Sequence, residues 1–400
     1  MKTEKFTMQR FIVINLALFF CALLPIAAAA GFNEGLAAYT NKDYATALRE
    51  FRPLAKKGDA RSQVSLGYMY ANGQGVTQDD REAAKWFRLA AEQGNDYAQF
   101  ELGMRYVVGL GVSKDDREAI KWLRLSAEQG LAAAQYMLGR MYGAGQGAPL
   151  DRKEANKWFR RAAEQGVASA QYEVGVMYEN GIGVPQDHKE AVTWFRLAAE
   201  QGNASGQHSL SLMYARGEGV PKDYREAAKW NRLAVEQGNA FAQDRLGVMY
   251  AYGIGVPQDH REAVKWYRLA AEQGNASGQF SLGVAYAQGL GVPQDDRESV
   301  KWIGLAAEQG HAVAQGFLGA AYADGAGVIQ NKVVAYALFN LSEFNGPSNV
   351  TNAAKHRAAL AKDMTRSQIE AGQNLTREMV KPGNLLRALE ALRHSVWNLT

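Results

Sequence analysis

Glycine pairs of the form G-x-G recur through this 400-residue sequence, among them Gly73-Gln74-Gly75, Gly109-Leu110-Gly111, Gly181-Ile182-Gly183 and Gly289-Leu290-Gly291. Paired glycines can wrap successive backbone N–H groups around a phosphate when they follow a strand and open a helix. Here no strand-like run precedes them, so they are expected to be helix-to-helix turns. A second candidate is the repeated "AEQG", as at Glu272-Gln273-Gly274. Its glycine suits the left-handed residue that closes a helix, which places the acid and the amide at a helix end and not in an acid/base pair. The third is a basic row with helical spacing: Arg81, Lys85 and Arg88, then Arg117, Lys121 and Arg124, and again Arg261, Lys265 and Arg268. Acidic residues flank each row and the net charge is only +4, so a solvated face is expected and no nucleic-acid partner.

Other chemistry has no sequence support. The six histidines are scattered, without H-E-x-x-H or any Asp/His/Cys grouping of metal-ligand spacing. There is no G-x-S-x-G elbow, Walker loop or G-x-G-x-x-G fingerprint. No metal, no cofactor and no enzymatic activity are expected. A composition of 47% hydrophobic and 22% charged residues is that of a chain able to bury a core, which excludes general disorder.

What positions these residues is a strict repeat. Tryptophan falls at 86, 122, 158, 194, 230, 266 and 302, always 36 residues apart. The same step joins Gln63 through Gln315 and Tyr70 through Tyr322, so eight uninterrupted units tile residues 59–346. Within one unit Ala242, Leu246 and Tyr250 fall four apart, a helical spacing that defines helix A. Gly253, Gly255 and Pro257 then break the pattern. Asp259 with Glu262 reads as a capping box opening helix B, in which the Glu reaches back to the cap backbone. The same pair stands at Asp79/Glu82, Asp115/Glu118, Asp151/Glu154, Asp187/Glu190, Asp223/Glu226 and Asp295/Glu298. Helix B carries an apolar stripe of Ala263, Trp266, Tyr267 and Ala270 and stops at Gly274. Two helices in 36 residues cannot bury both faces alone, so the pairs must stack.

The unit "QFSLGVAYAQGLGVPQDDRESVKWIGLAAEQG", starting at Gln279, resembles the Sel-one-like repeat family, a relative of tetratricopeptide repeats with a longer glycine-rich turn. The L-G-x-x-Y core, the G-x-G-V turn and the E-A-x-x-W helix together carry the resemblance. Departures are local: Ser211 replaces the helix A glycine, Ala148 a loop valine, and Asn331 with Val334 the cap pair of the last unit. The resemblance implies an all-α, right-handed solenoid of stacked helix-turn-helix repeats, a tetratricopeptide-like superhelix.

The ends differ from the array. Residues 1–30, basic and then apolar before "AAAAGF", read as a secretory signal cleaved near Ala30/Gly31. The chain is then expected in the periplasm or secreted, touching membrane only if the leader stays uncleaved. The sole cysteine, Cys21, lies in that leader. Residues 31–58 resemble a tetratricopeptide unit that starts the stack. Residues 347–400 read as a helical cap over the apolar "VVAYALFNLSEF", covering Val333, Val334, Leu338 and Phe339. It comprises a helix from about Asn349 to Lys362, one after Thr365/Gln368, and one striped by Leu385, Leu389, Leu392 and Val396.

Two rows of helix A vary between units. One reads Phe100, Tyr136, Tyr172, His208, Asp244 and Phe280; the other includes Glu101, Met137, Glu173 and Arg245. Arg140, Arg216 and Tyr252 lie farther along the same helices. In tetratricopeptide-like stacks helix A lines the concave groove, so the resemblance makes these rows a partner surface. Aromatic residues beside charge suit a protein or peptide. Lying outside the Ala-Leu-Gly-Tyr packing set, they are expected to contribute little stability. The function expected is a non-catalytic interaction scaffold of the bacterial envelope, concerned with signalling or exopolysaccharide assembly. Alternatives are a protein binding glycan or peptidoglycan through the aromatic row and, for a third class, a β-lactam-binding hydrolase.

Overall fold

Each 36-residue period becomes two antiparallel helices, and what sets their ends is local side-chain chemistry. The structure, a computed structural model, describes residues 29–346 and 352–397, so the leader reading lies outside the described residues. It divides into two units. The first contains α1 (Ala29–Thr40), α2 (Tyr44–Lys56), α3 (Ala60–Asn72), α4 (Asp80–Glu92), α5 (Asp96–Val108), α6 (Asp116–Glu128), α7 (Ala132–Ala144) and α8 (Arg152–Glu164). The second begins with α9 (Ala168–Asn180), α10 (His188–Glu200), α11 (Ala204–Arg216), α12 (Tyr224–Glu236), α13 (Ala240–Tyr252) and α14 (His260–Glu272). It continues through α15 (Ala276–Gln288), α16 (Asp296–Glu308), α17 (Ala312–Asp324), α18 (Lys332–Asn345), α19 (Ala353–Ala361), α20 (Arg366–Met379) and α21 (Leu385–Trp397). Among the described residues there is no strand. From α3 onward the odd-numbered repeat helices are helix A and the even-numbered ones helix B, each packed on its sequence neighbours within its own unit.

The caps differ from the expectation in one respect. Asp259 accepts the N–H groups of Arg261 and Glu262 at 2.9 and 3.0 Å, and the other six aspartates do the same; Asn331 does so in the last repeat. The glutamate does not reach back. The cap's own N–H is already donated to the helix A tyrosine carbonyl, Asp259 to Tyr250 at 2.9 Å and Asp115 to Tyr106 at 3.0 Å. The freed glutamates bind the lysine three residues on, as Lys157 to Glu154, or the indole N–H of Trp158 and Trp302. The only full capping box among the described helices is Thr365 with Gln368, outside the repeats. Asp259→Ala is therefore expected to cost about 1 kcal/mol and Glu262→Ala under about 0.5 kcal/mol, because the latter removes an exposed ion pair. Equal losses in a urea titration would show a working box.

The two glycines of each turn do different jobs. Gly253 closes α13 in the left-handed region. Gly255, also at positive φ, lies where a Cβ would overlap the Tyr224 carbonyl oxygen of the preceding repeat. The turn is thus an inter-repeat contact. In the core, the helix A glycine admits a large helix B side chain: a Cβ at Gly139 would sit 2.7 Å from Phe159. Ser211 stands where this glycine is missing, and there the facing residue is not aromatic but the buried Asn231.

Hydrogen-bond ladders join successive repeats. The Gln273 amide donates to Gln243 at 2.7 Å, as Gln93 does to Gln63 and Gln309 to Gln279. The buried helix A glutamine in turn donates to a carbonyl of the repeat before it, Gln99 to Ala91 and Gln279 to Ala271. The basic row is engaged too, with Arg196 donating to the Tyr214 hydroxyl at 2.8 Å and Arg268 to Tyr286 at 2.7 Å.

In the second unit α19, α20 and α21 cover the last repeat. Gly372 packs against the Tyr336 ring, Phe339 contacts the His356 ring, and Met379, Leu385 and Leu389 join the cluster around Val334 and Leu338. The first of these helices is described from Ala353 to Ala361, and the start expected near Asn349 lies outside the described residues. Gly304 stands where the six preceding repeats carry an arginine of the basic row, from Arg88 to Arg268, and its missing side chain admits Leu386.

Candidate functional site

Helix A pattern departures mark two polar clusters, one in each unit. In the first, Met69 and Met141 occupy a buried register that in the intervening repeat holds Arg105. Arg105 pairs with Asp80 at 3.0 Å and lies over the Phe87 ring at 5.0 Å. Beside it Glu101 is buried and accepts a 2.9 Å hydrogen bond from the Tyr68 hydroxyl. Burial pushes the Glu101 carboxyl up, opposed by Tyr68 and Arg105, and pushes the Tyr68 phenol well up. Glu101 is consequently no surface residue, contrary to its place in the row. Of its predicted companions, Phe100, Tyr136 and Met137 are half-buried and Arg140 is exposed.

The second cluster spans α9 to α15. Loss of the aromatic opposite Ser211 leaves space that Asn231 fills, donating to the Ala242 carbonyl at 2.7 Å while its oxygen faces His208 at 3.2 Å. Desolvation lowers the His208 pKa, opposed by the contact with Asn231. Asp244, one repeat further along the row, accepts the Ser281 hydroxyl at 3.0 Å. Burial raises its pKa to about 6 against the hydrogen bond from Ser281 and the charge of Arg245. Arg245 has a buried Nε without a partner, and its pKa is lowered by burial and by Arg216. Arg216 is itself exposed between Glu179, at 3.8 Å, and Glu218, at 3.5 Å. Tyr172 and Glu173 sit half-buried at the start of the cluster, and Tyr252 is 73% exposed at its margin.

The helix A aromatics also carry packing. Tyr136 meets the Phe159 ring at 5.8 Å and Tyr172 meets Phe195 at 5.9 Å. Their replacement therefore costs more stability than their place outside the packing set implied. Phe280 stacks on His311 and lies edge-on to Phe317, both at 5.1 Å between centroids. Phe241 and Phe317 are 66% and 47% exposed. Phe317, His311 and Phe241 were missed from sequence. Phe317 continues the Glu101–Arg245 row, and that register was the available signal.

Asp244 makes stability pH-dependent with a defined sign. Its folded pKa lies above the ordinary aspartate value of 3.8, so its contribution is fully present below that value and is lost as pH rises through about 6. Asp244→Asn is expected to gain stability over the native protein between pH 4 and pH 7, by at most ~3 kcal/mol at 1.36 kcal/mol per unit, less what residual solvent screens. Parallel melting curves across that range would contradict it.

An open depression of about 610 Å³ in the first unit is lined by Asp79–Arg81 and Gly109–Ser113, and the helix N–H groups there are spent on Asp79. Among the described residues no three His, Cys, Asp or Glu side chains gather in metal-ligand geometry, and no helix is long and apolar enough to cross a membrane.

Comparison with known proteins agrees with this architecture. The Sel1 repeat model matches eight consecutive segments, 60–95, 96–131, 132–167, 168–203, 204–239, 240–275, 276–311 and 312–343. A Sel1 repeat protein from Oxalobacter formigenes is similar in structure, with a TM-score of 0.59 and 32% identity over 86% of this chain and 99% of its own. A protective antigen of uropathogenic Escherichia coli strains, described as displaying an SLR fold, gives 0.59 and 29% over 92% and 94%. An exopolysaccharide production negative regulator of Rhizobium leguminosarum bv. viciae is 46% identical over 52 residues, which span 13% of this chain and a fifth of that protein. With eight consecutive matches and the helix pairs to go with them, the chain belongs to the Sel1 repeat family.

Proposed function

We propose that this protein is an exported adaptor that holds a protein partner on its helix A layer. Sel1 repeat chains are interaction scaffolds. The observation that carries the finer reading is the contrast between the two helix layers. Helix B spends its capping aspartates and six of its lysines on partners in the same helix, and arginines such as Arg196 and Arg268 on the tyrosine of the next helix A. Helix A presents exposed aromatic and charged side chains, Tyr252, Phe317 and Arg140, that the stack does not require. Export is read from the basic and then apolar pattern of residues 1–30. The short similarity to an exopolysaccharide regulator supports an envelope role without naming the partner.

The test is capture of the native partner by paired variants. Tyr252→Ala with Phe317→Ala is expected to weaken capture by about 2 kcal/mol or more, as exposed aromatic anchors do. Charge reversal of Arg81, Lys121 and Arg261 should leave it nearly intact, apart from a salt-dependent steering effect. The opposite pattern would place recognition on helix B.

A further inference from the structure

The helix A layer of the second unit opposes the charge of the chain that carries it. The whole sequence has a net charge of +4, yet helices α9, α11, α13, α15 and α17 carry four carboxylates, Glu173, Glu179, Asp244 and Asp324, against two guanidinium groups, Arg216 and Arg245. Arg216 is held between Glu179 and Glu218, so it is not offered outward as a free cation. Asp244 is held by Ser281 and has no ion pair within 4 Å among the described residues. Ser281 follows Phe280, whose ring packs edge-on against the exposed ring of Phe317. Phe241, one turn before Asp244 on α13, is exposed as well. An exposed aromatic ring beside a carboxylate, as Phe241 stands beside Asp244 on α13, attracts ammonium and guanidinium groups through charge and ring quadrupole together.

We propose that this face takes a basic segment of the partner, one lysine or arginine pairing with Asp244 beside Phe241 and another lying over the exposed ring of Phe317. The proposal rests on the reading of the helix A layer as the recognition face and names the chemistry it recognises. Holding Asp244 half-buried is costly in the free protein, and an incoming cation offsets that cost in the complex. Arg245, next along the helix, would repel a cation placed on its own side and so orients the basic group toward Ser281 and Phe280.

Fluorescein-labelled octalysine, octaglutamate and chitohexaose are the probes, titrated onto the full chain by anisotropy at fixed low salt. Octalysine is expected to bind, and Asp244→Asn and Phe317→Ala should each weaken it tenfold or more. Glu272→Gln, at the exposed end of α14, should stay within twofold, which separates a site from diffuse charge. Thermal melts of the same variants identify any that lost the fold; Phe317, nearly half exposed, is the variant least exposed to that objection. Unchanged octalysine binding by Asp244→Asn and Phe317→Ala would overturn the proposal, as would tighter binding of octaglutamate or of chitohexaose. If the native partner still depends on Phe317 while octalysine shows no dependence on Asp244, the recognition face stands and its cationic chemistry falls. If neither depends on these residues, both fall.

Discussion

Arg105→Ala is expected to lose 3–5 kcal/mol, roughly the cost of breaking a buried ion pair. The arginine is 6% exposed, and its removal leaves Glu101, 5% exposed, with no cation beside it and Asp80 without its partner. The neighbouring repeats supply the control. At the registers of Glu101 and Arg105 the next repeat carries Met137 and Met141. The double variant Glu101→Met with Arg105→Met should therefore recover to within about 2 kcal/mol of the native protein, because apolar groups of similar volume replace the buried ionic groups and the remaining loss is the Tyr68 hydroxyl left without its acceptor. Chemical denaturation of the two variants measures both values. A double variant as unstable as the single one would mean that the network holds the first unit together in a way the other repeats do not need.

The second large effect concerns the turns. Gly111→Ala is expected to cost at least about 3 kcal/mol, the sum of a left-handed backbone and a steric overlap that backbone cannot relieve. Gly111 has φ of 72°, and a Cβ there would overlap the Asp80 carbonyl oxygen of the preceding repeat. Gly130 separates the two causes: its φ is 104°, but nothing lies within 4 Å of its Cβ position. Gly130→Ala should cost only about 1–2 kcal/mol, from conformation alone. Similar losses at both positions would show that the second glycine of the turn serves φ and not the inter-repeat contact.

The repeat, its helix pairs and the capping aspartates were legible because each leaves a signal at fixed spacing, as the tryptophan series and Asp259 show. What was not legible depends on partners far apart in sequence. Glu262 has the spacing of a capping box, but the backbone group it would serve is already bonded to Tyr250, a fact set by how helix A lies over helix B. Gln243 and Gln273 stand 30 residues apart in every repeat, and only the folded pair shows that one amide feeds the next. Glu101 looked like a surface row residue because its burial is tied to Arg105, a departure from methionine in a register that elsewhere is plain core. Among the site residues, the row positions from Tyr172 to Phe280 were found from variation between repeats. His311 and Phe241 lie at registers outside those rows, where only the ring contacts with Phe280 and His208 reveal them.

The central claim is that the helix A layer, and not helix B, is the surface a partner meets. Site-specific photocrosslinking in cells that hold the native partner tests it directly, with a photoreactive phenylalanine placed singly at Tyr252 and Phe317 on helix A and at Leu125 and Leu269 on helix B. All four side chains are exposed by 43–73%, so accessibility to the reagent does not favour one layer. The account predicts one shared crosslinked species from Tyr252 and Phe317 and none from Leu125 and Leu269. A partner crosslinked from Leu125 and Leu269, with Tyr252 and Phe317 silent, would contradict it.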